Sequence, residues 1–455
     1  MNTTLTIPQT AAPQPSPADL ARLSLLLAGA IVVALAGILG GMQYVIIALA
    51  LGLAILVARK PKEAVPAGWL FMLAAMTLLP VTARLHYLDT QTEGIDWQQY
   101  YWAAGSLIIV LAALYGAGFS SLIRAPMVIK MFLLVAIAAA IFGFFRGNET
   151  SYVIRQFYGS ILFVLYFAIA RAAGDEELLF LRLKTFGVLV AVAFFVYYAT
   201  IFSEWGFHKE DTSLPIQMGI FAMLLVLKGL IDKRLSWIAY SGVLFTASFL
   251  LFFRNILLTF FFATTMALAI RSTSRMRKVL YFGIAALILL PSVFPFGAQF
   301  VVDVLTEKAP KIYDILPQGT QTSTTLMDRS IQIGASALLL VHSPVFGGGM
   351  GTDLSWVSDL GDRQEMYIDN GWAYLMAKMG CAGILAFGWL LVTILRCMSR
   401  QSLVISISLL ALLMIAMFSE PICFQFTTSP IAGALAGMLY VRKYPVSRSS
   451  GTAVG

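Results

Sequence analysis

"FLLFFRNILLTFF", Phe249 to Phe261, sets one arginine in the middle of a long, otherwise largely apolar run, and the basic loop "RSTSRMRK" follows at 271–278. A membrane-crossing helix needs about 20 apolar residues. The run therefore predicts two spans, 236–253 and 255–270, with Arg254 at the turn between them. Loops rich in Lys and Arg collect on the cytoplasmic side. With 271–278 inside, Arg254 falls at the outer face.

The same reading extends along the chain. Of its 455 residues, 59% are hydrophobic and 12% charged, with a mean hydropathy of +0.83. A soluble domain carries about 25% charged residues, so the expected class is an all-α polytopic membrane protein. About fourteen spans (12–14) are expected from runs of this length. They centre on 22–40, 42–58, 67–82, 98–118, 127–145, 157–171, 185–202, 216–231, 236–253, 255–270, 279–295, 371–394, 402–418 and 430–442. The basic stretches "RKPKE" at 59–63, "DKR" at 232–234, 271–278 and "RK" at 442–443 then all share the cytoplasmic side, with both termini.

The domain plan expected is a disordered cytoplasmic tail at 1–20, eleven spans within 21–294, an outer loop at 295–370, three spans within 371–442 and a cytoplasmic tail at 443–455. The polar start lacks the basic residues of a cleaved signal peptide. The net charge of +8 would suggest nucleic acid in a soluble protein; here it reflects cytoplasmic loops, and no nucleic-acid partner is expected. Cys381, Cys397 and Cys423 lie in or beside apolar segments without metal-ligand spacing. No metal or cofactor is expected.

The loop at 295–370 is long enough to carry function. It contains "SIQIGASALLLV", 330–341, too short to span and read as an interfacial or re-entrant helix. It also contains "HSPVFGGGMGTDLSW", 342–356, where Gly347, Gly348, Gly349 and Gly351 permit positive φ and close backbone approach. Amides in such a turn can cradle anions, although a plain tight turn has the same composition. Arg146, Arg155, Arg254 and Arg329 are expected near the outer face. Their planar guanidinium forks suit phosphate oxygens, and structural ion pairs suit them equally.

Candidate bases are His342, with a proton affinity near neutrality, and Asp369, at the mouth of the next helix. Asp353, Asp362 and Glu365 are nearby, and a carboxylate such as Asp369 is also a common helix cap. The acidic loops "HYLDTQTEGIDW", 86–97, with Asp89, Glu93 and Asp96, and "WGFHKEDTS", 205–213, offer either catalytic carboxylates or solvated connections, and the second is expected.

From Arg329 to about Arg396 the chain resembles the O-antigen polymerase and ligase superfamily. That pattern is an Arg, a short helix, a "P..G.G.G" turn and a polar segment ending in His-Asn or Asp-Asn, followed by a helix with "G..G". Arg329, Pro344, Gly347, Gly349, Gly351, Asn370, Gly380 and Gly383 match it. "FRNILLTFF" resembles the family's Ser-Arg helix start, with Phe253 in place of Ser, and Arg155 matches a further arginine more loosely.

The resemblance implies a GT-C-like membrane glycosyltransferase of the bacterial inner membrane. It implies an outer loop that is catalytic, a periplasmic site, inversion, and no metal or nucleotide. Substrate would be an oligosaccharide on undecaprenyl diphosphate, held among membrane lipids. A flippase and a chain-length regulator are the partners implied. Ligases of the family carry His where this chain has Asp369, which favours a polymerase of exopolysaccharide, capsule or O-antigen repeats. The alternatives are a ligase acting on lipid A core and, from another class, a polysaccharide transporter. The general base stays open between Asp369 and His342.

Overall fold

The computed structural model describes residues 42–72, 97–117, 120–185, 187, 213–250, 254–293, 332–354, 368, 370–397, 403–418, 423–425 and 428–443. The expected span 22–40, residues 73–82 of the expected span 67–82, nearly all of 185–202, and the two acidic connections apart from their last residues, Trp97 and Ser213, fall outside this set.

Every regular element among the described residues is helical. The principal helices are α1 (Met42–Arg59), α2 (Trp97–Ala117), α3 (Met127–Phe145), α4 (Thr150–Ala173), α5 (Ser213–Asp232), α6 (Leu235–Leu250), α7 (Arg254–Arg271) and α8 (Arg275–Val293). They are followed by α9 (Gln332–His342), α10 (Gly371–Cys397), α11 (Leu403–Met414) and α12 (Ser429–Lys443). α3 and α4 are long and apolar enough to cross a membrane, and α10 has that length only as a run of sequence that breaks at Gly380. The chain is a membrane-embedded helical bundle. Most helix boundaries fall where the hydropathy places them, and the predicted short helix at 330–341 forms as α9.

α5 is buried on all sides from Ile216 to Leu227, so it runs through the centre. A helix apolar all round has no solvent face to present. α4 and α12 lie side by side and run parallel: Gly433 abuts the carbonyl of Phe163, and Gly437 that of Phe167. The "GALAG" spacing of Gly433 and Gly437 lets the backbones touch, which is how helices associate where lipid offers no hydrophobic drive.

α10 corrects the expectation of one continuous span at 371–394. Gly380 adopts φ 59° and ψ −155°, which is not helical. The rings of Trp372 and Phe387 meet edge-on at 5.7 Å. In a straight helix these residues would stand about 22 Å apart along the axis. The chain therefore folds back at Gly380, and α10 is a half-helix, 371–379, followed by a longer helix, 381–397. Side chains from α3 and from the turn at 423–425 hold the reversal. Phe132 of α3 lies 6.5 Å from Phe387 and 5.9 Å from Phe424, and Tyr374 stacks on Phe424 at 4.9 Å. Hydropathy averages along the chain and cannot see such a break.

The bundle has two distinct ends. At one, charges pair between elements. Arg182 grips Glu63 with two bonds, 3.0 and 2.5 Å, which raises the guanidinium pKa above its ordinary value. Lys62 meets Asp175 at 3.3 Å, and Lys228 meets Glu177 at 2.7 Å and Asp232 at 3.1 Å. Lys184 lies over the Tyr240 ring at 4.6 Å, and Arg171 bonds the Arg124 carbonyl. The other end carries the glycine turn.

Candidate functional site at the glycine turn

α9 ends at His342, and Ser343 begins the turn. Gly347, Gly349 and Gly351 have φ of 60°, 79° and 80°, a region that side chains with a Cβ disfavour. The turn wedges between the break in α10 and the far end of α3. A side chain on Gly349 would meet the backbone of Gly143 in α3 at 2.6 Å. The glycines are present because three backbones converge.

The hydrogen bonds show what the turn accomplishes. Gly348 N–H donates to the Ala377 carbonyl at 2.7 Å, at the end of the half-helix. Cys381 and Ala382 N–H donate to the carbonyls of Pro344 (2.8 Å) and Val345 (3.1 Å). The turn thus caps both broken ends of α10, and backbone groups freed inside a membrane protein must find such partners. Met350 N–H donates to the Ala139 carbonyl of α3 at 3.1 Å. Gly347 and Gly349 N–H donate to Ser343 (2.9 Å) and Phe346 (3.0 Å). Gly351 N–H donates to Gln156 Oε1 at 2.6 Å, and Asn148 Nδ2 donates to the carbonyls of Gly348 (3.0 Å) and Met350 (2.8 Å).

Every amide from Gly347 to Gly351 is therefore engaged within the protein. Gly347, Gly349 and Gly351 were expected to offer amides to an anion; in this conformation they build the scaffold instead.

Two of the expected arginines flank the turn. Arg146 follows α3 directly, is exposed, and lies over the Phe142 ring at 5.4 Å, which in turn packs on Phe346 of the turn. Arg155 sits in the second turn of α4, half-buried, one residue before Gln156. His342 is exposed at the end of α9. Arg254 opens α7. Arg329 and Asp369 lie outside the described residues.

Asn370 is 3% exposed, and its Oδ1 accepts the amides of Trp372 (2.9 Å) and Ala373 (3.0 Å). It is the N-cap of the half-helix, the part considered for Asp369. Because α10 folds back, this cap is sunk in the bundle. Phe387, which packs on Trp372, also meets Phe132, about 16 Å below the turn-facing Gly143 along α3. The expected outer loop at 295–370 thus ends inside the bundle at Ile368 and Asn370, both buried.

The structure adds a residue that the pattern of apolar runs concealed. Lys378, in "YLMAKMG", is fully buried, and its ammonium bonds the Thr352 carbonyl. A single Lys inside an apolar helix was the available signal. Among the described residues no group of three or more metal-binding side chains forms. No protein-family model and no curated protein matches the chain.

Proposed function

We propose that the chain is a membrane glycosyltransferase that polymerises oligosaccharide repeat units carried on undecaprenyl diphosphate, at the periplasmic face of a bacterial inner membrane. The observation that carries this reading is the glycine turn itself. It is flanked by Arg146 and Arg155, and it lies between the positions of Arg329 and Asn370 in the same order as in the superfamily it resembles. Both termini are then cytoplasmic and the paired-charge end faces the cytoplasm.

In this reading Arg329 and Arg254, with Arg146 and Arg155, hold the diphosphate, since guanidinium forks stabilise the charge that grows on a departing phosphate. Asp369 or His342 takes the proton from the acceptor hydroxyl as the sugar's anomeric carbon changes partner. Diphosphate leaves readily, so alignment and charge stabilisation supply most of the rate. The turn holds the parts in register.

The test is a strain lacking the chain, complemented with Arg329→Ala and Arg254→Ala together, its polysaccharide resolved on a gel. Loss of a charge-stabilising donor typically costs about 100-fold or more, so the ladder should collapse to single repeats. An unchanged ladder sinks the reading. Long polymer that fails to reach lipid A indicates a ligase.

The break in α10 favours a second reading. Transporters build sites from discontinuous helices whose half-helix ends lie inside the bundle. Movement of a lipid-linked glycan across vesicles without change in glycan length would support that alternative.

A further inference from the structure

Lys378 takes no part in the reaction proposed above, yet it is 0% exposed in an apolar half-helix. Withdrawing an ammonium from water is costly unless partners compensate, and ionisable groups kept inside membrane helices are functional by default. Its partners lie on the segment leaving the turn: the Thr352 carbonyl accepts a bond from Nζ, and the Asp353 carboxylate attracts the ammonium. It sits at the carbonyl end of the half-helix, where the helix dipole favours a cation. It is next to Ala377, whose carbonyl accepts the Gly348 amide.

Asn370 caps the opposite end of the same half-helix. Residues 352–353 and 370 bracket the segment that carries Asp362, Glu365 and Asp369. Thr352 and Asn370 are thus fixed to the two ends of one rod about 13 Å long. We propose that Lys378 is a positioning residue: its buried Nζ pins Thr352, with Asp353 beside it, to the Gly380 end of the half-helix. This fixes where the acidic segment leaves the turn. The inference rests on the glycosyltransferase reading.

The test uses the full-length protein in a strain lacking its own copy. Lys378→Met, Lys378→Arg, Asp353→Asn and the Lys378→Met/Asp353→Asn pair are each expressed, and polymer is measured per unit of protein in the membrane. Misplaced catalytic groups cost up to about 100-fold. Lys378→Met should lower polymer at least about 10-fold, and Lys378→Arg should restore it to within about 3-fold of wild type. Asp353→Asn should lower it by a factor similar to that of Lys378→Met, and the pair should be no worse than the single change, because coupled residues are not additive.

Full polymer from Lys378→Met, or a pair whose losses multiply, overturns the proposal. Where Lys378→Met does not reach the membrane, Asp353→Asn decides, and wild-type polymer from it overturns the proposal equally. An Arg329→Ala/Arg254→Ala control in the same strain separates the two claims. If that control leaves the ladder intact, the polymerase reading fails. If it abolishes the ladder while Lys378→Met does not, only this inference fails.

Discussion

A methyl group on Gly380 would stand 2.5 Å from both the Val345 carbonyl and the Gly347 nitrogen, at a φ of 59°. Neither neighbour can yield, since each is backbone inside the capped break. Gly380→Ala should therefore destabilise the protein by about 3 kcal/mol or more, combining backbone strain with overpacking. Thermal melting of the purified protein in detergent checks this, with Gly388→Ala as control. Gly388 lies in the same α10 with nothing within 4 Å, and its substitution should leave the melting temperature unchanged or slightly raised. At this scale the sequence was legible in part. The clustered glycines announced a special turn, because few other residues tolerate positive φ. The use of their amides was not legible, because the acceptors Ala139, Gln156 and Ala377 are remote in sequence. Lys378 was concealed by its apolar neighbours.

Between elements, α4 and α12 meet through Gly433 and Gly437, each pressed against a carbonyl of α4, while Gly159 of α4 abuts the Phe424 carbonyl in the turn that precedes α12. Leucine at Gly433 or Gly437 would force these helices apart over their whole contact. Each change should cost about 2–4 kcal/mol and lower the amount of folded protein several-fold. Fluorescence-detected gel filtration of the variants checks this, and Gly242→Leu, in open space on α6, should behave as wild type. Normal elution of both α12 variants would remove the argument for close packing. Individual spans were readable from hydropathy because each carries its own apolar length. Which helices pair was not, and neither was the reversal within α10. Pro344, Val345 and Trp372 bring those together from separate segments.

Across the whole molecule, the basic stretches at 59–63 and 232–234 come together with 171–185, as their shared charge suggested, while Asn148, Gln156 and the turn gather at the opposite end. If the paired-charge end is cytoplasmic, a single cysteine at Glu149, exposed near the turn, should react with a membrane-impermeant maleimide on spheroplasts. A single cysteine at Lys62, also exposed, should react only after the membrane is opened. The two belong in a background lacking Cys381, Cys397 and Cys423. Labelling of the Lys62 position on sealed cells would invert the topology and remove the periplasmic site.

The folded-back α10 also bears on biogenesis. Residues 371–397 emerge from the ribosome as one apolar stretch that an insertion machinery would accept as a single span. Their reversal uses the carbonyls of Pro344 and Val345, and the turn that carries these is itself bonded to Ala139 of α3, so both partners precede residue 371 in the chain. Met417 and Phe424, which pack against the half-helix, follow it in the chain, so its seat is complete only once they are made. A nascent chain stalled before residue 371 would carry the turn without the helix ends that its backbone groups cap.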